Sequence, residues 1–185
     1  VDITAMSPEQ RVKEGVVRSF QVVHVFEEMT VRENLRTVVL SEQGLLKSAF
    51  SFSNEHESVE TAIDDLIERF RLNGQEHVVA NKLPHGDRKL LDVAMSFGLD
   101  PEVLLLDEPT SGVSAQETDH VMETIVNVTT AENVTTVAIE HDMDIVSEHA
   151  DRVIALQQGS VLDKGDASML ETDDELRRVL LGVTE

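Results

Sequence analysis

Residues 103–114 read VLLLDEPTSGVS. Four consecutive apolar residues describe a strand buried on both faces, as in the middle of a parallel sheet. That strand delivers two carboxylates, Asp107 and Glu108, to its carboxyl end, where a divalent metal and a water can be held. The plainer alternative makes Asp107 a cap on the following turn and leaves Glu108 in solvent.

The pattern downstream of this stretch alternates between strands and helices. Ser114 and Glu117 have the spacing of a capping box, which opens a helix through SAQETDHVMETIV. TTVAIE is the next strand, followed by a helix over about 143–149, a strand RVIALQ, a turn at 158–160 and a short returning strand SVLDK. Thr172 and Glu175 repeat the capping-box spacing before a last helix that ends near Gly182.

Upstream, Ser7, Pro8 and Gln10 predict a helix start, with the helix running to about Val17. VVRSFQVV has the β-branched content of a short strand, and a helix follows from about Val31 to Leu40. Residues 41–57 show no sustained period and read as a loop. Val59, Ala62, Ile63, Leu66, Ile67 and Phe70 then fall at helical spacing, giving an apolar stripe that ends near Asn73 and Gly74. A further helix is expected after LPHGD, with Leu90, Leu91, Ala94 and Met95 on its inner face. The fold class is α/β, with its chemistry at the carboxyl ends of parallel strands.

Composition narrows the function classes. The 185 residues contain no cysteine, so disulfides and thiolate zinc sites are excluded and a reducing cytoplasm is the simple reading. No apolar run approaches membrane-spanning length. The formal net charge of -21 would repel a phosphate backbone, which argues against direct nucleic-acid binding. Acidic residues are dispersed along the chain and lysine is scarcer than arginine. That pattern suits a high-salt cytoplasm, where screening offsets self-repulsion, the alternative being an ordinary acidic protein.

Taken in order, RSFQ, LPHGD, VLLLDEPTSGVS and AIEHDM resemble the Q-loop, signature, Walker B with D-loop, and switch segment of ABC ATPases, the nucleotide-binding subunits of ATP-driven transporters. The resemblance covers almost the whole chain. It implies an incomplete P-loop NTPase core divided along the chain into three parts. Residues 1–29 would end the ATPase core with the Q-loop, 30–98 would be a helical subdomain ending in the signature helix, and 99–185 would be the carboxyl-terminal part of the core.

The resemblance also implies roles. Asp107 would hold Mg²⁺, directly or through water, and Glu108 would orient the water that attacks the γ-phosphate or take its proton. Gln21 would reach metal and water, and His141 would contact the γ-phosphate. Leu83, Pro84, His85, Gly86 and Asp87 stand in the signature position, which binds ATP held by the opposite subunit through glycine backbone and helix N-terminus. Pro84 removes a hydroxyl and an N–H there, and Asp87 adds negative charge. Ser111, Gly112, Val113 and Ser114 would form the D-loop at the dimer interface, Ser114 being equally a helix cap.

A phosphate cradle needs Gly-Lys followed by Ser or Thr, because backbone N–H groups, the lysine and a hydroxyl together neutralise the phosphates. No Gly-Lys dipeptide occurs in the chain, and Tyr and Trp, the usual adenine-stacking residues, are absent. The expectation is a fragment whose amino-terminal part is missing, neither binding ATP tightly nor hydrolysing it alone, with an unprotected sheet edge that favours self-association.

VVRSFQVVHVFEEMTVRENL, LPHGD and IEHDMDIV together are similar to importer subunits for branched-chain amino acids, with urea and amide importers close behind. This implies a second ATP-binding subunit and transmembrane permease subunits as partners, at the cytoplasmic face of the membrane. Phe26 and Met29 would be contacts for the permease, or ordinary lobe packing. Two other classes stay open. A soluble ABC ATPase of DNA repair or translation should carry a coiled coil or basic arm, and a nucleotide-independent interaction module would need no cradle.

Overall fold

The computed structural model describes residues 1–19, 24–44 and 53–172. They fall into two compact units that divide between Ile139 and Glu140.

In the first unit, Ser7 caps helix α1 (Pro8–Lys13) with a complete capping box. The start agrees with the sequence but the end does not. Gly15 turns the chain at φ 75, and Val16, within both the expected helix and the expected strand stretch, opens strand β1 (Val16–Arg18). Helix α2 (Val31–Glu42) starts on a second capping box, formed by Thr30 and Glu33. Helix α3 (Ser53–Arg69) begins inside the stretch expected to be a loop, so residues 53–57 are helical. The apolar stripe fails as a guide there because these first residues are polar.

Val59, Ile63, Leu66, Ile67 and Phe70 are buried, as their spacing predicts. A 3₁₀ turn (Ala80–Lys82) leads to α4 (His85–Phe97), whose N-cap is Pro84. This helix starts within LPHGD rather than after it. Leu90, Leu91, Val93 and Ala94 are fully buried on α4, each large apolar side chain contributing about 1.5–3 kcal/mol. Phe97 meets Phe70 edge-on, with ring centroids 5.5 Å apart.

Strand β2 (Val103–Asp107) is the middle of a three-stranded parallel sheet, between β1 and β3 (Thr135–Ile139). Leu104 and Leu106 face the core, while Val103 and Leu105 are half-buried. Helix α5 (Ala115–Ala131) connects β2 to β3 and packs on α4. All five residues of β3 are exposed, Val137 at 53% and Ile139 at 61%.

The second unit holds helix α6 (Met143–His149), an antiparallel pair of strands β4 (Arg152–Gln157) and β5 (Ser160–Asp166), and a short helix α7 (Met169–Thr172). Its small core centres on Ala155 and Leu170. Residues 175–182, expected in a terminal helix, lie outside the described residues. Among the described residues no helix is long and apolar enough to cross a membrane.

Candidate functional site

Parallel pairing puts the carboxyl ends of β1 and β2 side by side, Arg18 standing opposite Leu105. Asp107 ends β2 half-buried, and Arg18 Nη2 donates to its Oδ2 at 2.7 Å. Glu108 follows with φ 45, a left-handed conformation that costs free energy in a residue with a β-carbon and that clusters at functional sites. Two backbone bonds fix it: its N–H donates to Ile139 O at 2.9 Å, and its carbonyl accepts from Ser111 N at 3.0 Å. The turn is thus tied to β3 on one side and closed on itself on the other. Two adjacent carboxylates thus leave the strand in different backbone conformations.

Beyond the turn, Val113 N donates to Thr110 O at 3.1 Å, and Gly112 has φ 77. The His85 ring lies directly against Gly112, since a β-carbon there would sit 3.3 Å from His85 Cε1. Residues 85 and 112 are therefore brought together, joining LPHGD to SGVS inside one chain. Gly86 is buried, and a β-carbon on it would meet Val121 Cγ2 at 3.3 Å and Glu117 Cβ at 3.4 Å. Leu83 is buried, whereas Pro84 and His85 are exposed. Asp87 accepts a hydrogen bond from Gln75 Nε2 at 2.7 Å, so its charge is engaged by the helical part of the unit.

Ser114 does stand at the N-cap of α5, but its side chain makes no cap bond. Its hydroxyl instead donates to Glu117 Oε2 at 2.6 Å, so the expected capping box is not formed.

Gln21 lies outside the described residues. His141 is exposed, in the second unit, two residues after β3 and next to Asp142, which caps α6 by accepting from Asp144 N and Ile145 N. The residues that come together are thus Asp107, Glu108, His85, Gly86 and 111–114.

Two features escaped the sequence reading. Arg18 on Asp107 had only the faint signal of an arginine at a strand end. The other is the buried Asn34, which holds the backbone between the exposed Phe26 and Met29, both named from the sequence, by accepting from Phe26 N at 2.7 Å and donating to Phe26 O, Met29 O and Thr30 O. Nothing in the spacing marked Asn34 as more than a polar helix residue.

Among the described residues no group of three or more His, Cys, Asp and Glu could hold a metal ion. A lone strand-end carboxylate fits Mg²⁺, which commonly takes one or two carboxylates and completes its shell with phosphates and water. The sequence has no Gly-Lys dipeptide, the core of a phosphate loop.

The family model described as ABC transporter matches residues 2–111. The high-affinity branched-chain amino acid transport ATP-binding protein LivG of Escherichia coli is 34% identical over 181 residues, 94% of this chain and 70% of its own length. The corresponding protein BraF of Pseudomonas aeruginosa is 31% identical, with 98% of this chain and 73% of its own length aligned. Among solved structures, a nucleotide-free ATP-binding cassette from an ABC transporter superposes with a TM-score of 0.77 at 24% identity, over 100% of this chain and 75% of its own. An ADP conformation of another such cassette gives 0.75 at 25% identity, over 98% and 74%. With a parallel sheet that presents Asp107 and Glu108 at its carboxyl end and with relatives of this closeness, the chain belongs to the ABC transporter family.

Proposed function

We propose that this chain carries the catalytic-carboxylate, signature and D-loop part of an ATP-hydrolysing subunit of an ABC importer for branched-chain amino acids. The observation that carries the reading is the strand-end pair Asp107 and Glu108, with Glu108 held in a strained turn beside the His85–Gly112 contact. The 34% identity to a branched-chain amino acid transport subunit supports the substrate class.

In the mechanism, Asp107 would hold Mg²⁺ through its carboxylate and would give up its pairing with Arg18 to do so. Bound there, Mg²⁺ would supply positive charge to offset the negative charge of the phosphates. Glu108 orients the attacking water or accepts its proton, and the bonds to Ile139 and Ser111 fix its position. Gln21 and His141 would complete the water and γ-phosphate contacts. Leu83 to Asp87 and Ser111 to Ser114 would face ATP held by a second ATP-binding subunit. The hydrogen bond from Gln75 supports this use of the signature despite Asp87, because it partly offsets that residue's charge near phosphate.

Without a Gly-Lys loop, the chain by itself neither binds Mg-ATP tightly nor turns it over. Permease subunits would meet residues 24–30, where Phe26 and Met29 project, at the cytoplasmic face of the membrane. The fully exposed β3 supports self-association of the isolated chain. The charge of -21 supports a high-salt cytoplasm, and predicts that stability rises with KCl into the molar range.

The test is to join the chain, at its amino end, to an ATPase segment bearing Gly-Lys-Ser/Thr and to measure Mg-ATP hydrolysis. Turnover should appear, and Glu108→Gln should cut it by roughly two orders of magnitude or more while nucleotide binding persists. Turnover that is indifferent to both Asp107→Asn and Glu108→Gln would overturn the assignment.

A further inference from the structure

Ser19 and His24 bracket residues 20–23, with Gln21 among them, and both are held by one side chain on α4. Asp92 Oδ2 accepts from Ser19 Oγ at 2.9 Å, and Asp92 Oδ1 accepts from the backbone N of His24 at 2.9 Å. The carboxylate is nearly sealed from water at 5% exposed, and Ser19 at 3%. Ser19, the residue after β1, is also tied to β2, its N–H donating to Leu105 O at 2.9 Å. One carboxylate therefore links the helix that begins in LPHGD to the end of β1 and to the start of the 24–30 segment.

Packing alone does not call for an acid at this position. Residues 89–95 of α4 are all buried, Lys89 among them, and an apolar side chain at 92 would avoid the desolvation that a buried carboxylate suffers. What the carboxylate adds is two charge-assisted bonds of fixed geometry, stronger and shorter than neutral ones. Its two oxygens lie on opposite ends of one rigid plane, so Ser19 and His24 are positioned with respect to each other as well as to α4.

We propose that Asp92 is a positioning residue through which a displacement of α4 is carried to the backbone on both sides of residues 20–23. Its use rests on the ATPase reading, since that reading makes α4 the signature helix and Gln21 a contact of metal and water. Arg88 on the same helix, paired with Glu27, makes a second link to the 24–30 segment, but at the surface, where it is weaker.

Amide hydrogen exchange on the whole chain tests this without nucleotide. Asp92→Leu should speed exchange at His24 roughly ten- to a hundred-fold, the loss expected for a hydrogen bond to a charged acceptor. The Val39 and Leu106 amides should stay protected. Asp92→Asn, which keeps an oxygen for His24 N–H, should restore most of the protection. Gln75→Ala, which frees Asp87 in the first turn of α4, should speed His24 exchange in the wild-type and Asp92→Asn backgrounds and add nothing in Asp92→Leu.

Unchanged His24 protection in Asp92→Leu, or an equal response to Gln75→Ala in every background, overturns the proposal. Should Asp92→Leu fail to fold, Ser19→Ala takes its place. It removes one of the two bonds and should speed His24 exchange by a smaller factor, whereas no change in either Ser19→Ala or Gln75→Ala overturns the proposal. Failure here leaves the hydrolysis test of the joined protein unaffected, and failure of that test leaves these rates as they are.

Discussion

Arg18 and Asp107 form an ion pair across adjacent parallel strands, with Nη2 2.7 Å from Oδ2 at the carboxyl ends of β1 and β2. The arginine side chain is 53% exposed and the aspartate 23%, so water and salt screen the attraction. Arg18→Gln should therefore cost less than about 1 kcal/mol of stability in urea unfolding, and less still in molar KCl. A loss above about 2 kcal/mol would mean that the pair is a structural element rather than a displaceable partner of the proposed metal-holding carboxylate.

Glu108 is held at φ 45, where glycine is at ease and other residues are not. Glu108→Gly and Glu108→Ala both remove the carboxylate, so the difference between them isolates backbone strain. The glycine variant should be the more stable by about 1 kcal/mol, measured as a shift in the urea midpoint at constant slope. Equal midpoints would show that the turn is not strained.

Gly112 combines φ 77 with the His85 ring 3.3 Å from where a β-carbon would stand. Gly112→Ala should destabilise by about 1–2 kcal/mol. Adding His85→Ala should recover only the contact part of that loss, because the left-handed backbone remains. Full recovery in the double variant, read by a double-mutant cycle, would place the whole cost in the ring contact.

Glu33 holds the start of α2 as a carboxylate, accepting from Thr30 N at 2.8 Å and from the Thr30 hydroxyl at 2.9 Å. These bonds, the backbone one first, hold its pKa below the ordinary glutamate value. A lowered folded pKa contributes stability that is full above the unfolded value and is lost as pH falls through the folded one. Unfolding curves between about pH 5 and pH 3 should thus fall less steeply in Glu33→Gln than in the parent, and parallel curves would refute the assignment.

Much of this architecture could be read from local chemistry, because capping residues and apolar period act over a few residues. The α6 limits and the β4 strand follow from such signals, as do the starts of α1 and α5. Where a signal of this kind was lacking, the reading failed. The polar first turn of α3 carries no stripe, and Gly15 ends α1 through a turn that leaves Val16 free to pair with Val103. The strand-end carboxylates were visible because four apolar residues precede them.

Their surroundings were not visible, since they depend on contacts distant in sequence. Arg18 reaches Asp107 across 89 positions, and Asp92 reaches Ser19 across 73. The Ser114 and Glu117 spacing predicted a reciprocal cap, but the short side-chain bond between them replaced it. A sequence motif fixes which groups are near one another, and rotamers decide which bonds form.

The proposed site offers Asp107 to a metal and Glu108 to a water in a chain with no Gly-Lys dipeptide. Titration calorimetry of Mg-ATP into this chain in molar KCl tests that most directly. The predicted result is no heat of tight binding, with any dissociation constant weaker than roughly 1 mM, since a lone carboxylate and a signature backbone leave the phosphates largely unneutralised. Micromolar binding that is lost in Asp107→Asn would contradict it, and would mean that another loop of this chain holds the phosphates.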